Sequence, residues 1–173
     1  MDARPTDNPE AYDAYLRGLA YTSKTQNTPG NYLGAQKYFR EAVRLDPKFA
    51  LAWALLSYVE ARGYHTTNLQ PTMALREEAR RAAETALTLE PNLGEGWVAK
   101  GYYYYGCERD FAQAVSCSER ARELLPNSGL VPASLALVAR DQRQWDMSGT
   151  YPTAQERPHP RDVTLPPTPA PFL

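Results

Sequence analysis

The chain has 173 residues, 43% hydrophobic and 23% charged, with a formal net charge of −1 and a pI near 6.1. That length holds one ordinary domain or a short array of repeats, and the balance is that of a chain that folds. Near-neutral charge excludes the basic stripe that grips nucleic-acid phosphates, and it disfavours anionic membrane surfaces.

The opening Met1-Asp2-Ala3-Arg4-Pro5-Thr6-Asp7 lacks the basic and apolar regions of a signal peptide, and residues 1–7 are expected to be a flexible leader. No stretch approaches the roughly 18 consecutive apolar residues of a membrane span. The two cysteines, Cys107 and Cys117, are too few for a disulfide scaffold, so a reducing cytoplasm is the default compartment.

Asn8-Pro9-Glu10 joins an N-cap to a proline at the first helical position, which predicts a helix from there to about residue 23. A second helix is predicted after Thr28-Pro29-Gly30-Asn31, ending near Leu45. Periodic apolar runs predict further helices over 50–63, 72–89, 94–106, 111–125 and 130–143. Pro47, Pro91 and Pro126 each separate two such runs, marking one helix end and the next start. Past Asp146 the period fails. Met147-Ser148-Gly149-Thr150-Tyr151-Pro152 offers no apolar face, and Pro166-Pro167-Thr168-Pro169-Ala170-Pro171 reads as polyproline, so residues 147–173 are expected to form a disordered tail.

The segments repeat. Leu45-Asp46-Pro47 and Leu89-Glu90-Pro91 are each followed by a tryptophan, Trp53 and Trp97, six residues after the proline. Leu125-Pro126 opens a third copy, with Pro132 in the tryptophan's place. Upstream of each proline lies a small-large-small pattern at i, i+4 and i+7: Ala35, Phe39, Ala42, then Ala79, Ala83, Ala86, then Ala114, Ser118, Ala121. Gly18 with Tyr21 and Gly101 with Tyr104 add a close-contact glycine and a packing tyrosine. This constellation resembles the tetratricopeptide repeat (TPR) family over roughly 8–146. The resemblance implies an all-α fold: a right-handed α-solenoid of antiparallel helix pairs with about three and a half repeats, near 8–49, 50–93, 94–128 and a partial 129–146. Two departures stand out. The proline spacings are 44 and 35 residues, against about 34 in the family, and the helix-B aromatic is reduced to Ala83 and Ser118, which predicts cavities or filling from elsewhere.

What the resemblance implies about function is a protein-interaction module, with the first helix of each pair lining a concave groove that takes a partner's peptide or helix. On that geometry Tyr15, Leu19, Tyr58, Tyr102, Tyr105 and Arg140 face the groove, with Arg62 near its edge. Four successive tyrosines, Tyr102 to Tyr105, cannot all be buried by a regular helix, which predicts that Tyr102 and Tyr105 are exposed. The lysine and asparagine clamp that some family members use for acidic chaperone tails is missing: Tyr15, Leu19, Ala54, Tyr58, Val98 and Tyr102 occupy the matching positions. The opening from Asn8 to Gly18 is also similar to the first repeat of arrays attached to bacterial winged-helix, cyclase or kinase signalling proteins, which implies, as an alternative, a detached sensory half. Finally, the last helix carries Leu130, Val131, Leu135, Leu137, Val138 and Trp145 with no second helix to cover it, which predicts self-association through that end.

Catalytic chemistry is not expected. His65 and His159 have no carboxylate or cysteine at ligand spacing and read as surface histidines, with no metal and no cofactor implied. Cys107 and Cys117 read as small buried thiols. The run from Arg76 to Glu84 neutralises itself through i,i+4 pairs on a solvated face.

Overall fold

The computed structural model describes residues 5–148, with side chains as far as Arg143. Seven α-helices follow one another: α1 (Pro9–Thr22), α2 (Pro29–Leu45), α3 (Ala50–His65), α4 (Met73–Leu89), α5 (Gly94–Tyr103), α6 (Phe111–Leu124) and α7 (Leu130–Ser148), with a π-helical turn over Tyr104–Glu108 between α5 and α6. The described residues contain no strand. Each start has a local cause. The Asn8 side chain accepts from the backbone N–H groups of Glu10 and Ala11, while Thr28, Thr72 and Asp110 do the same for α2, α4 and α6. Helices α3 and α5 have no side-chain cap. Instead the indole N–H of Trp53 donates to the Pro47 carbonyl and that of Trp97 to the Pro91 carbonyl, each at 2.9 Å. That bond is the physical reason for the six-residue proline-to-tryptophan spacing.

Helices α1 and α2, α3 and α4, and α5 and α6 pack as pairs, and the pairs stack through α2 on α3, α3 and α4 on α5, and α6 on α7. The small positions are what permit the approach. Ala35, Ala42, Ala79, Ala86, Ala114 and Ala121 are all buried. A Cβ placed on Gly18 would meet the Phe39 ring at 2.5 Å, so glycine and phenylalanine fill one space together. Where the phenylalanine is lost, the facing residue adjusts. Ser57 takes the glycine's place and its hydroxyl donates to the Ala79 carbonyl at 2.8 Å, drawing α3 onto α4 beside Ala83. Ser118 lies 3.2 Å from Ser134 of α7, and the gap around them, lined by Gly101, Tyr102, Tyr105 and Val138, has no room for water.

Several expectations are corrected. Residue 6 is no loose leader: Thr6 is buried and its hydroxyl donates to Asp46, while Asn8 Nδ2 donates to the Leu45 carbonyl at 3.0 Å. The open C-terminal carbonyls of α2 recruit the segment before α1. The last helix reaches Ser148, so Met147 and Ser148 are helical rather than part of a tail. Val138, counted in the sequence among the apolar residues left without cover, is 2% exposed and packs toward α5 and α6, because Val131, Ser134, Val138 and Asp141 share one buried stripe. As far as Arg143, the exposed side of α7 includes Leu130, Pro132, Ala133, Ala136, Ala139 and Arg140, with Leu135 and Leu137 half-exposed beside them. Residues 149–173, with His159 and the polyproline run, and the Trp145 side chain lie outside the described residues.

Candidate functional site

Helix α3 is buried on most sides, as a central helix of a stack must be. What stays half-exposed on it includes Leu51, Leu55, Tyr58 and Arg62, at i, i+4, i+7 and i+11, one continuous stripe. Helix α1 contributes half-buried Tyr12, Tyr15 and Leu19, with Leu16 at 45% exposure. The Tyr15 ring packs on Phe49 at 5.1 Å and stacks on Tyr12 at 6.0 Å. Burial, then the charge of Glu95, pushes the Tyr15 phenol up, so the first turn of α5 lies within electrostatic reach of α1. Tyr15, Leu19, Tyr58 and Arg62 thus keep accessible surface. Leu51 and Leu55 were missed in the sequence, although their spacing from Tyr58 and Arg62 was the available signal.

Tyr102 and Tyr105 do not keep it. They are 7% and 3% exposed, and Tyr103 is buried beside them. The π turn accounts for Tyr105: widening the helix at Tyr104–Glu108 rotates that residue inward. Tyr102 precedes the turn, in the regular part of α5, and is covered by the rings of Tyr58 and Tyr105. Arg109 closes the turn in the left-handed conformation, φ 56°. Gly106 allows the turn to reach α3, since a Cβ there would meet the Ala61 carbonyl oxygen at 2.9 Å. Tyr102 lies edge-on to Tyr58 at 4.8 Å, and Tyr105 sits against Tyr102 at 6.2 Å and Phe111 at 6.3 Å.

Tyr105 also ties distant helices. Its hydroxyl donates to Asp141 Oδ2 at 2.6 Å and lies 3.2 Å from His65 Nε2, whose ring packs on it at 4.7 Å. His65 is therefore a packed, half-buried histidine, not a surface one; burial, with the nearby Arg109, holds its pKa down. Burial and the Asp141 bond push the Tyr105 phenol up to about 12. Burial alone would raise Asp141, but hydrogen bonds from Tyr105 and Arg140 outweigh it and hold the carboxyl low. Arg140, though exposed, is engaged by that carboxylate at 2.9 Å.

Arg62 differs from its peers. Its Nη1 donates to the Tyr58 hydroxyl at 3.0 Å, and the guanidinium stands 5.9 Å from the Tyr58 ring centre. Burial works against its charge, yet the phenols of Tyr58, Tyr32 and Tyr102 outweigh it and raise its pKa. The charge run is self-neutralising at Arg80 and Glu84, 2.7 Å, and Arg81 and Glu77, 3.4 Å. Arg76 departs from that reading: it is largely buried and grips Glu108 at 2.7 Å, with the Tyr103 hydroxyl on the same carboxylate. Cys107 and Cys117 are free and buried, and burial pushes the Cys107 thiol up to about 12, leaving it inert. Among the described residues no three His, Cys, Asp or Glu side chains are grouped to hold a metal, and no helix is long and apolar enough to cross a membrane.

No protein-family model matches the chain, and no curated protein matches it. Solved structures do. The first TPR of Spaghetti (RPAP3), bound to the HSP90 peptide SRMEEVD, aligns with a TM-score of 0.56 at 16% identity, covering 82% of this chain and 99% of that one. The first TPR domain of the human RPAP3 protein aligns with a TM-score of 0.56 at 18% identity, covering 82% and 98%. At such identity the likeness establishes the fold: an all-α, TPR-like solenoid.

Proposed function

We propose that this solenoid is a protein-interaction module whose contact surface is the half-exposed face of its first, third and fifth helices. The observation that carries it is the α3 stripe, where two leucines, a tyrosine and an arginine stay half-exposed in line on a helix whose other residues, Trp53 and His65 apart, are buried. Aliphatic and aromatic anchors beside a guanidinium are the composition of binding hot spots, and a rigid stack presents them without ordering cost. A peptide-bound neighbour of the same fold supports this reading. With Tyr102 and Tyr105 buried, their role is to brace Tyr58 from behind.

Peptide selection tests it. Random dodecamers displayed on phage should yield binders to the folded chain that lose affinity for Leu51→Ser/Leu55→Ser by about 2 kcal/mol, with the helical circular dichroism of that variant unchanged. Selected peptides that bind wild type and double variant equally would place the contact elsewhere.

A further inference from the structure

Four arginines among the described residues are partly buried: Arg62, Arg76, Arg80 and Arg120. Arg76 pairs with Glu108, Arg80 with Glu77 and Glu84, and Arg120 with Glu123. Arg62 alone of these has no carboxylate, and its one hydrogen bond is to a tyrosine hydroxyl. The phenols acting on it come from three helices, Tyr32 on α2, Tyr58 on α3 and Tyr102 on α5. The Tyr32 hydroxyl is itself buried and without a hydrogen-bond partner. A half-buried guanidinium held against the Tyr58 ring and hydroxyl, with donors unspent, is the arrangement that receives a planar anion.

Resting on the interaction reading above, we infer that Arg62 receives an acidic side chain of the partner segment, and that this acid lies a defined distance from an apolar anchor. The distance follows from the helix rise. Leu55 and Arg62 are seven residues apart on α3, or about 10 Å along its axis. A partner extended as a polyproline II helix, which returns to the same face every three residues, therefore carries its acid about three residues from the apolar residue that meets Leu55, and an α-helical partner about seven. This requirement is for an internal acid next to an apolar residue, and it uses neither of the clamp positions on α1.

The same phage pool decides the matter, because peptides fused at their C-termini carry no free terminal carboxylate and report side chains only. Binders selected on wild type should be enriched in Asp or Glu at one of those spacings, and Arg62→Gln should select a pool without that enrichment. For an individual binder, Glu→Gln in the peptide should weaken wild-type binding about tenfold or more and Arg62→Gln binding hardly at all. Arg62→Lys should keep part of the preference, and circular dichroism verifies that each variant is folded. Binders that lose affinity on Leu51→Ser/Leu55→Ser but show no acidic preference would overturn this inference and leave the interaction reading standing. An acidic preference that survives Arg62→Gln would also overturn it. An empty selection would remove the interaction reading and this inference together.

Discussion

Glu60 stands three residues after Ser57, where the neighbouring repeats place Tyr21 and Tyr104 three residues after a glycine. It is fully buried; Gln36 donates to one of its oxygens at 2.9 Å and Arg40 at 3.2 Å, and the other oxygen has no partner. Burial raises its pKa to about 8, with the hydrogen bond from Gln36 pulling the other way. The folded chain then holds a proton on Glu60 at neutral pH that the unfolded chain has released. A carboxyl raised in this sense lends stability that is full below the unfolded value and declines as pH rises through about 8. Glu60→Gln keeps an acceptor for Gln36 and Arg40 and removes the titration. Its stability relative to wild type should therefore grow from roughly pH 5 to 8, by at most about 1.4 kcal/mol per pH unit, read from denaturant midpoints across that range. A constant difference would mean that Glu60 titrates normally.

Among the elements, the π turn does most to set the surface apart from its sequence. Its cause is tertiary: Arg76 and Tyr103 converge on Glu108, and Tyr105 bridges His65 of α3 to Asp141 of α7. No local signal in Tyr102-Tyr103-Tyr104-Tyr105-Gly106 announces a change of helical pitch, so a regular helix was the natural expectation and it put Tyr105 on the wrong side, while Tyr102 is hidden by the Tyr58 ring of α3. The anchoring role has a consequence for α7. Tyr105→Phe leaves a buried carboxylate oxygen of Asp141 short of a donor, which should cost about 1–3 kcal/mol. Amide exchange should quicken chiefly in α7, while α1 and α2 exchange as before. Uniform loss of protection in every helix would show that the bond supports the stack as a whole.

At the scale of the molecule, each helix pair buries its apolar face on the next, so stability is distributed along the stack and its ends matter most. The N-terminal end is sealed by Thr6 and Asn8 on the last turn of α2. At the other end α7 turns Val131 and Val138 inward, and its described outer residues include Leu130, three alanines and Arg140, with Leu135 and Leu137 half-exposed. The segment after Ser148 holds seven of the chain's fifteen prolines and has no periodic apolar face with which to offset its ordering entropy. Truncation after Ser148 should leave the thermal midpoint within about 4 °C, the shift that a change of roughly 1 kcal/mol produces in a domain of this size. A larger fall would mean that the removed segment docks on α7.

The helices, their starts and their pairing were legible in the sequence because their causes are local: caps at Asn8, Thr28 and Thr72, alanine at helical spacing, a proline carbonyl six residues before an indole. Half of the proposed surface was legible for the same reason, since Tyr58 and Arg62 follow from the register of α3. Only the tertiary structure decided which tyrosines stay accessible, that His65 is packed, that Val138 points inward, and that Arg62 lacks an acid. Those features depend on side chains from other repeats, as in the bonds that tie Tyr105 to Asp141 and His65, 36 and 40 residues away along the chain. Burial is a property of the stack, and periodicity within one helix does not carry it.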